Sequence, residues 1–221
     1  MANRRGDSLN RRTGHYLVSM RAVILISGHG SNLQSLIDNA DKINLEICSV
    51  ISNNRDAFGL RRAEVANIES HFVNPSLFDS KDDFDKELIS IIDELGVNLI
   101  VLAGYMKILS SEFISHFSGK ILNIHPSLLP KFPGLNTHKK AIDAEEKYHG
   151  ASVHFVTEEL DGGPVISQEI VEVGPKDTES TLAQKVLEKE HILYPNVIHW
   201  YTQNRLKLIN EDTATLDGKI L

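Results

Sequence analysis

One cysteine, Cys48, is all the 221-residue chain contains, which rules out an internal disulfide and with it a disulfide-stapled secreted fold. Cys48 lies in the apolar run 45–51, so a buried, inert thiol is expected, in keeping with a reducing cytoplasm. No apolar stretch approaches the roughly 20 residues that span a bilayer, and no membrane span is expected. Positive charge is scarce as well: 23 Lys and Arg stand against 30 Asp and Glu, a formal net charge of -7. A protein that wraps nucleic acid needs clustered cations to neutralise phosphates, so the expected partners are small molecules and not nucleic acid. The ten histidines include no H-E-x-x-H or comparable ligand spacing, and no metal is assigned. Internal repeats and low-complexity segments are missing too.

What is present is ordinary globular composition, 41% hydrophobic and 24% charged, in a length that suits one generous domain. Residues 1–20 carry Arg4, Arg5, Arg11 and Arg12 against one acid, Asp7, and lack the apolar core of a secretory signal. They read as a disordered extension, or as the result of a start upstream of Met20, with a transit peptide the alternative. The single domain is then 21–221, as a monomer or homodimer.

Apolar runs at 22–27, 45–52, 69–73 and 97–103 read as strands, and 56–67 and 81–95 as helices between them, with a further helix opening at Ser31. That alternation predicts an α/β fold, doubly wound, its sheet mostly parallel with helices on both faces. A short helix at 110–117 leads to a strand at 120–124 that Pro126 cuts off. Pro126, Pro130 and Pro133 stiffen the next loop, and a helix follows near 137–146. Strands at 152–157 and 165–173, joined by Asp161-Gly162-Gly163-Pro164, are expected to pair antiparallel. A long helix from 178 to about 200, kinked at Pro195, leads to a short tail. The segment 141–149, with Asp143, Glu145, Glu146 and Lys147, is expected to be a mobile loop, and lid motion over a bound ligand is a hypothesis for it.

The glycine turn Gly28-His29-Gly30 is not a dinucleotide fingerprint. Leu33 replaces the third glycine, and the second strand ends in Ser52-Asn53-Asn54 without a ribose-holding acid, so NAD is not expected. The turn either leaves the amides of Gly30, Ser31 and Asn32 to a phosphate at a helix N-terminus or is a tight turn with no ligand. Asn123 and His125, two apart on a strand, face the same way at the carboxyl edge of the sheet, where such folds bind ligands. A lone histidine there favours a structural role. Paired with an amide donor, it acquires the means for proton transfer beside an oxyanion. Asp161 alone is either a turn aspartate or a catalytic carboxylate.

The stretches SGHGSNLQ (27–34), LAGYMKILS (102–110), NIHPSLLPKFPGLNTHKKAI (123–142) and GASVHFVTEELDGGPVI (150–166) resemble the folate-dependent phosphoribosylglycinamide formyltransferase family, from residue 21 to the end. The resemblance implies transfer of a formyl group from 10-formyltetrahydrofolate, as co-substrate, to the amine of glycinamide ribonucleotide in purine synthesis, without a metal. It implies that Asn123 stabilises the oxyanion and His125 moves a proton. Asp161 would favour the protonated imidazole and relay the amine proton. It further implies that Gly30, Ser31 and Asn32 hold the phosphate and Glu190 the ribose. The folate would lie against Met106, Lys107, Ile108 and Leu109, with Asn123, and against Thr157, Glu158, Glu159, Leu160 and Asp161. Two departures stand out: His29 replaces a common asparagine in the glycine turn, facing solvent, and Lys81 replaces a common arginine at a folate-contacting position, where it lacks the planar fork.

Related classes share Asn, His and Asp. A formyltetrahydrofolate deformylase usually carries a regulatory domain before the first strand, and a methionyl-tRNA formyltransferase a basic C-terminal RNA-binding domain. A folate- or phosphate-binding module without turnover is the non-enzyme alternative.

Overall fold

The computed structural model describes residues 19–221, and the expectations for the first 18 residues lie outside that range. The order is β1 (Met20–Ile26), α1 (Ser31–Asn39), β2 (Leu45–Ser52), α2 (Phe58–Val65), β3 (Glu69–Phe72), α3 (Lys81–Leu95), β4 (Leu99–Leu102), α4 (Ser111–His116) and β5 (Ile121–His125). Then come α5 (Thr137–Asp143), β6 (Tyr148–Phe155), β7 (Val165–Glu172), α6 (Glu179–Thr202), β8 (Leu206–Asn210), β9 (Thr213–Leu216) and β10 (Lys219–Ile220).

Seven strands form one sheet in the order β3-β2-β1-β4-β5-β6-β7. Pairings from β3 to β5 are parallel, and β6 and β7 run antiparallel, as their Asp-Gly-Gly connection leads one to expect. β1 and β4 are buried on both faces, which is why they read as continuous apolar runs. Along β1, Ala22, Ile24 and Ile26 pack beneath α1, α2, α5 and α6, while Val23 and Leu25 pack beneath α3 and α4. The strand order reverses between β1 and β4, and the open crevice at their carboxyl ends is where such a sheet binds ligands.

Several boundaries depart from expectation. β1 begins at Met20, whose N–H donates to the Asn44 carbonyl at 3.0 Å, so the sheet takes in a residue that the sequence reading leaves in the extension. Cys48 is half-buried, not buried. The β1–β2 register skips it, from Ala22↔Ile47 to Val23↔Ser49, so it is the extra residue of a β-bulge. Burial still pushes its thiol pKa up. The expected loop 141–149 is mostly regular structure: α5 runs to Asp143 and β6 begins at Tyr148, leaving 144–147 as a turn that Lys131 ties down through Glu146 at 2.7 Å. The tail is instead a three-stranded antiparallel sheet, β10-β9-β8.

α6 continues through Pro195 as one helix of 24 residues. Proline cannot bond the carbonyl four residues back, and that carbonyl, of His191, accepts from Ser35 Oγ of α1 at 2.8 Å. Tyr194, fully buried beside it, sets its hydroxyl between the Leu102 and Leu122 carbonyls at 3.0 and 2.9 Å, fastening α6 to β4 and β5 just below the crevice. Tyr194→Phe leaves both carbonyls without this donor and is expected to lower unfolding free energy by about 1–3 kcal/mol, read from urea denaturation. An unchanged midpoint would contradict that reading of the helix anchor.

Candidate active site

Gly30 caps α1 in the left-handed conformation, φ 73, and a Cβ there would lie 2.7 Å from Gly59 Cα, so the close approach of α2 requires glycine. Gly59 N–H donates to the Gly28 carbonyl at 3.1 Å. The turn thereby presents the Ser31 and Asn32 amides, which have no intrahelical partner, at the positive end of the helix dipole. Asn32 Nδ2 donates to Glu190 Oε2 at 2.8 Å in a buried pair that joins α1 to α6. Burial raises the Glu190 pKa against the pull of that bond, and Asn32 Oδ1 stays buried with no hydrogen-bond partner among the described residues. Two groups far apart in sequence thus meet beside the glycine turn. His29 is exposed as expected; its ring stacks on Phe58 at 5.3 Å and accepts from Arg62 at 3.3 Å.

Asn123 and His125 stand at the carboxyl end of β5, and Asp161 comes over them from the β6–β7 turn. The Asp161 carboxylate lies 3.5 Å from His125 Nδ1 and 3.7 Å from His154 Nε2, with the side chains of all three nearly buried. Asp161 adopts φ 53, and Gly134 N–H donates to its Oδ2 at 2.8 Å. His125 Nε2 donates to the Phe132 carbonyl at 2.9 Å. The proline loop therefore grips both members of the pair, and Ser152 of β6 grips the loop, accepting from Leu129 N–H at 3.0 Å and donating to the Ser127 carbonyl at 2.6 Å.

The sequence alone assigns His154 no role, yet the antiparallel register sets it opposite Asn123. Its Nδ1 donates to the Phe155 carbonyl at 2.8 Å, which leaves Nε2 to accept from Asn123 Nδ2 at 3.0 Å. This bond orients the carboxamide and leaves its second N–H for a ligand. Burial, first of all, holds the His154 pKa down, as it does for His138 and His149. His149, on β6 with its Nε2 3.2 Å from His138 Nδ1, is lowered to about 4, by burial and then by His138 and His125. Such groups bind protons in the unfolded chain at a pH where the fold keeps them neutral. Stability is therefore expected to fall as pH drops from 6.5 toward about 4. Melting temperature followed across that window tests this, and a level profile would contradict it.

The expected folate segments flank the same crevice. Met106 and Ile108 are exposed and Leu109 is buried, on the strap between β4 and α4. Thr157 is buried, Glu158, Glu159 and Leu160 are exposed, and Ser111 Oγ donates to Glu158 Oε2 at 3.2 Å, joining the two segments. Lys81 Nζ donates to the Leu109 carbonyl at 2.9 Å, so its ammonium is engaged with the strap itself. Lys107 lies over the Phe84 ring at 5.5 Å.

An amide donor, an imidazole and a carboxylate at one strand edge can stabilise an oxyanion and move a proton, the two needs of acyl transfer. Among the described residues no three His, Cys, Asp or Glu side chains are grouped to hold a metal ion, and no helix is long and apolar enough to cross a membrane. The family model for formyl transferases matches residues 20–198. The phosphoribosylglycinamide formyltransferase of Escherichia coli K12 is 51% identical over 204 residues, 91% of this chain and 96% of that protein. The protein of the same name from Haemophilus influenzae is 46% identical over 203 residues, 91% of this chain and 95% of its own. The solved phosphoribosylglycinamide formyltransferase of Coxiella burnetii matches the fold with a TM-score of 0.88 at 48% identity, over 92% of this chain and 96% of that one. The chain belongs to the formyl transferase family, and its near full-length likeness is to members named phosphoribosylglycinamide formyltransferase.

Proposed function

We propose that the protein transfers the formyl group of 10-formyltetrahydrofolate to the primary amine of glycinamide ribonucleotide, giving formylglycinamide ribonucleotide and tetrahydrofolate in purine synthesis. The observation that carries the reading is the convergence of Asn123, His125 and Asp161, with the carboxylate 3.5 Å from the imidazole, in a chain of this family.

The ribonucleotide phosphate binds the Gly30, Ser31 and Asn32 amides, and Glu190 takes a ribose hydroxyl. The free Oδ1 of Asn32 and the buried Glu190 carboxylate beside it support a polar ligand there. The pterin lies between the strap of Met106, Lys107, Ile108 and Leu109 and the segment Thr157, Glu158, Glu159, Leu160 and Asp161. The amine nitrogen attacks the formyl carbon. Negative charge develops on the formyl oxygen, where the second Asn123 N–H stabilises it and the His125 imidazole, when protonated, shares the load through Nδ1, its Nε2 hydrogen being held by the Phe132 carbonyl. Asp161 receives the proton the amine sheds, and the Asp161–His125 pair passes it on to the departing folate nitrogen as the carbon–nitrogen bond breaks and the carbonyl re-forms. Residues 20–221 act as one domain in the cytoplasm, as monomer or homodimer. Both reactants are small molecules.

The test is tetrahydrofolate formation followed by absorbance with and without glycinamide ribonucleotide. Turnover only with the ribonucleotide is expected. Equal turnover without it would make water the acceptor and the protein a deformylase; no turnover in either case would leave a binding module.

A further inference from the structure

Two side chains of α3 hold one peptide group of the strap. Lys81 Nζ donates to the Leu109 carbonyl at 2.9 Å, and Asp85, one helical turn on, accepts from Ser110 N–H at 2.5 Å. The Leu109 carbonyl and the Ser110 N–H belong to the same peptide bond. Both polar ends of that bond are therefore fixed by a single helix.

Asp85 is 2% exposed, a carboxylate that the mechanism above does not use. Burying such a group is costly unless its partners are well placed, which argues that the Ser110 contact has a purpose. Burial raises the Asp85 pKa, and its bonds to Ser110 and the charge of Lys81 oppose that rise. Phe84, between the two, lies under the Lys107 ammonium at 5.5 Å. The strap is held at its other end too: Met106 N–H donates to Ser27 Oγ at 2.8 Å, and that hydroxyl donates to Asn53 Oδ1 at 2.5 Å. Pinned at both ends, the strap presents the apolar side chains of Met106 and Ile108, 66% and 62% exposed, on a backbone that has little freedom left to lose. A surface ordered before its ligand arrives saves the ligand the cost of ordering it.

We propose that Lys81 and Asp85 are positioning residues that shape this strap for the flat ring system of the folate, Lys81 acting through the Leu109 carbonyl and not through a folate carboxylate. The ligand in this inference rests on the proposed function; the clamp rests on the contacts alone.

Two readouts separate them. In the full-length protein without ligand, amide hydrogen exchange at Ser110 is expected to quicken by about tenfold in Asp85→Ala, the equivalent of one lost hydrogen bond. Asp85→Asn, whose carboxamide oxygen can still accept, is expected to restore protection. In turnover assays, Lys81→Met and Asp85→Ala are expected to raise the folate KM by about tenfold while kcat and the ribonucleotide KM stay within about twofold. Lys81 is exposed, so its substitution provides the kinetic test even if Asp85→Ala fails to fold. The deciding comparison uses a formyl folate that lacks the glutamate tail. An equal Lys81→Met penalty on both co-substrates supports the strap; a penalty that vanishes with the tail means Lys81 pairs with a folate carboxylate, and the inference is overturned. Unchanged Ser110 exchange with normal wild-type turnover also overturns it. A wild type that neither binds nor turns over the folate sinks the proposed function, and the inference's ligand with it.

Discussion

Asp161→Asn is expected to lower kcat by about 10²–10⁴, the range for loss of a positioned acid–base group, with both KM values little changed. Asparagine keeps the shape and can still accept from Gly134 N–H, so the β6–β7 turn and the proline loop stay where they are. What is lost is a carboxylate 3.5 Å from His125 and 3.7 Å from His154, in a site where its side chain is 9% exposed. At such burial a proton has few alternative acceptors. The competing account, in which Asp161 only satisfies backbone groups of its turn, predicts a melting temperature and a kcat that are both near wild type. Steady-state kinetics beside a thermal melt distinguishes the two, and a kcat within a fewfold of wild type would refute the catalytic role.

Asn123→Ala is expected to cost about 10²–10³ in kcat, the effect of removing one oxyanion donor. Its carboxamide is oriented by His154 Nε2 at 3.0 Å. His154→Phe should therefore reproduce part of the loss, because the carboxamide stays but is free to turn. Single-turnover rates for the two variants give the comparison. A His154→Phe rate equal to wild type would show that the strand pairing, and not the imidazole, orients Asn123.

Much of the sheet was legible because its signals are local. The bounds of β2 and α3 agree with the apolar pattern, and α3 carries both of its own stop signs: Ser80 accepts from Asp83 N–H at the start, and Gly96 ends it at φ 59. Asn123 and His125 were legible for a similar reason, since a two-residue spacing on a strand is enough to put them on one face. Asp161 was not decidable from its own segment, and only the family resemblance gave it a role.

What escaped depends on pairing across distance. His154 meets Asn123 through an antiparallel register that no local pattern encodes. Cys48 is half-exposed because of a bulge defined by its partner strand. β6 starts at Tyr148, four residues before the expected 152, because Tyr148-His149-Gly150-Ala151 is a poor strand sequence that β7 recruits by pairing. A Cβ on Gly150 would lie 1.9 Å from the Glu169 carbonyl oxygen, so that crossing requires the glycine which weakens the strand signal. The C-terminal sheet was read only as a short tail, because its strands are too short and polar to stand out and Asp217-Gly218 marks a turn only once β9 and β10 are seen to pair.

The most direct test of the central claim is a single turnover with a carbon-labelled formyl folate and unlabelled glycinamide ribonucleotide, following the label by NMR in the wild type and in Asp161→Asn. The account predicts that the label moves to the amide of the ribonucleotide in the wild type and, over the time the wild type needs for one turnover, stays on the folate in the variant. Label released as free formate, or transferred equally by both proteins, would contradict it.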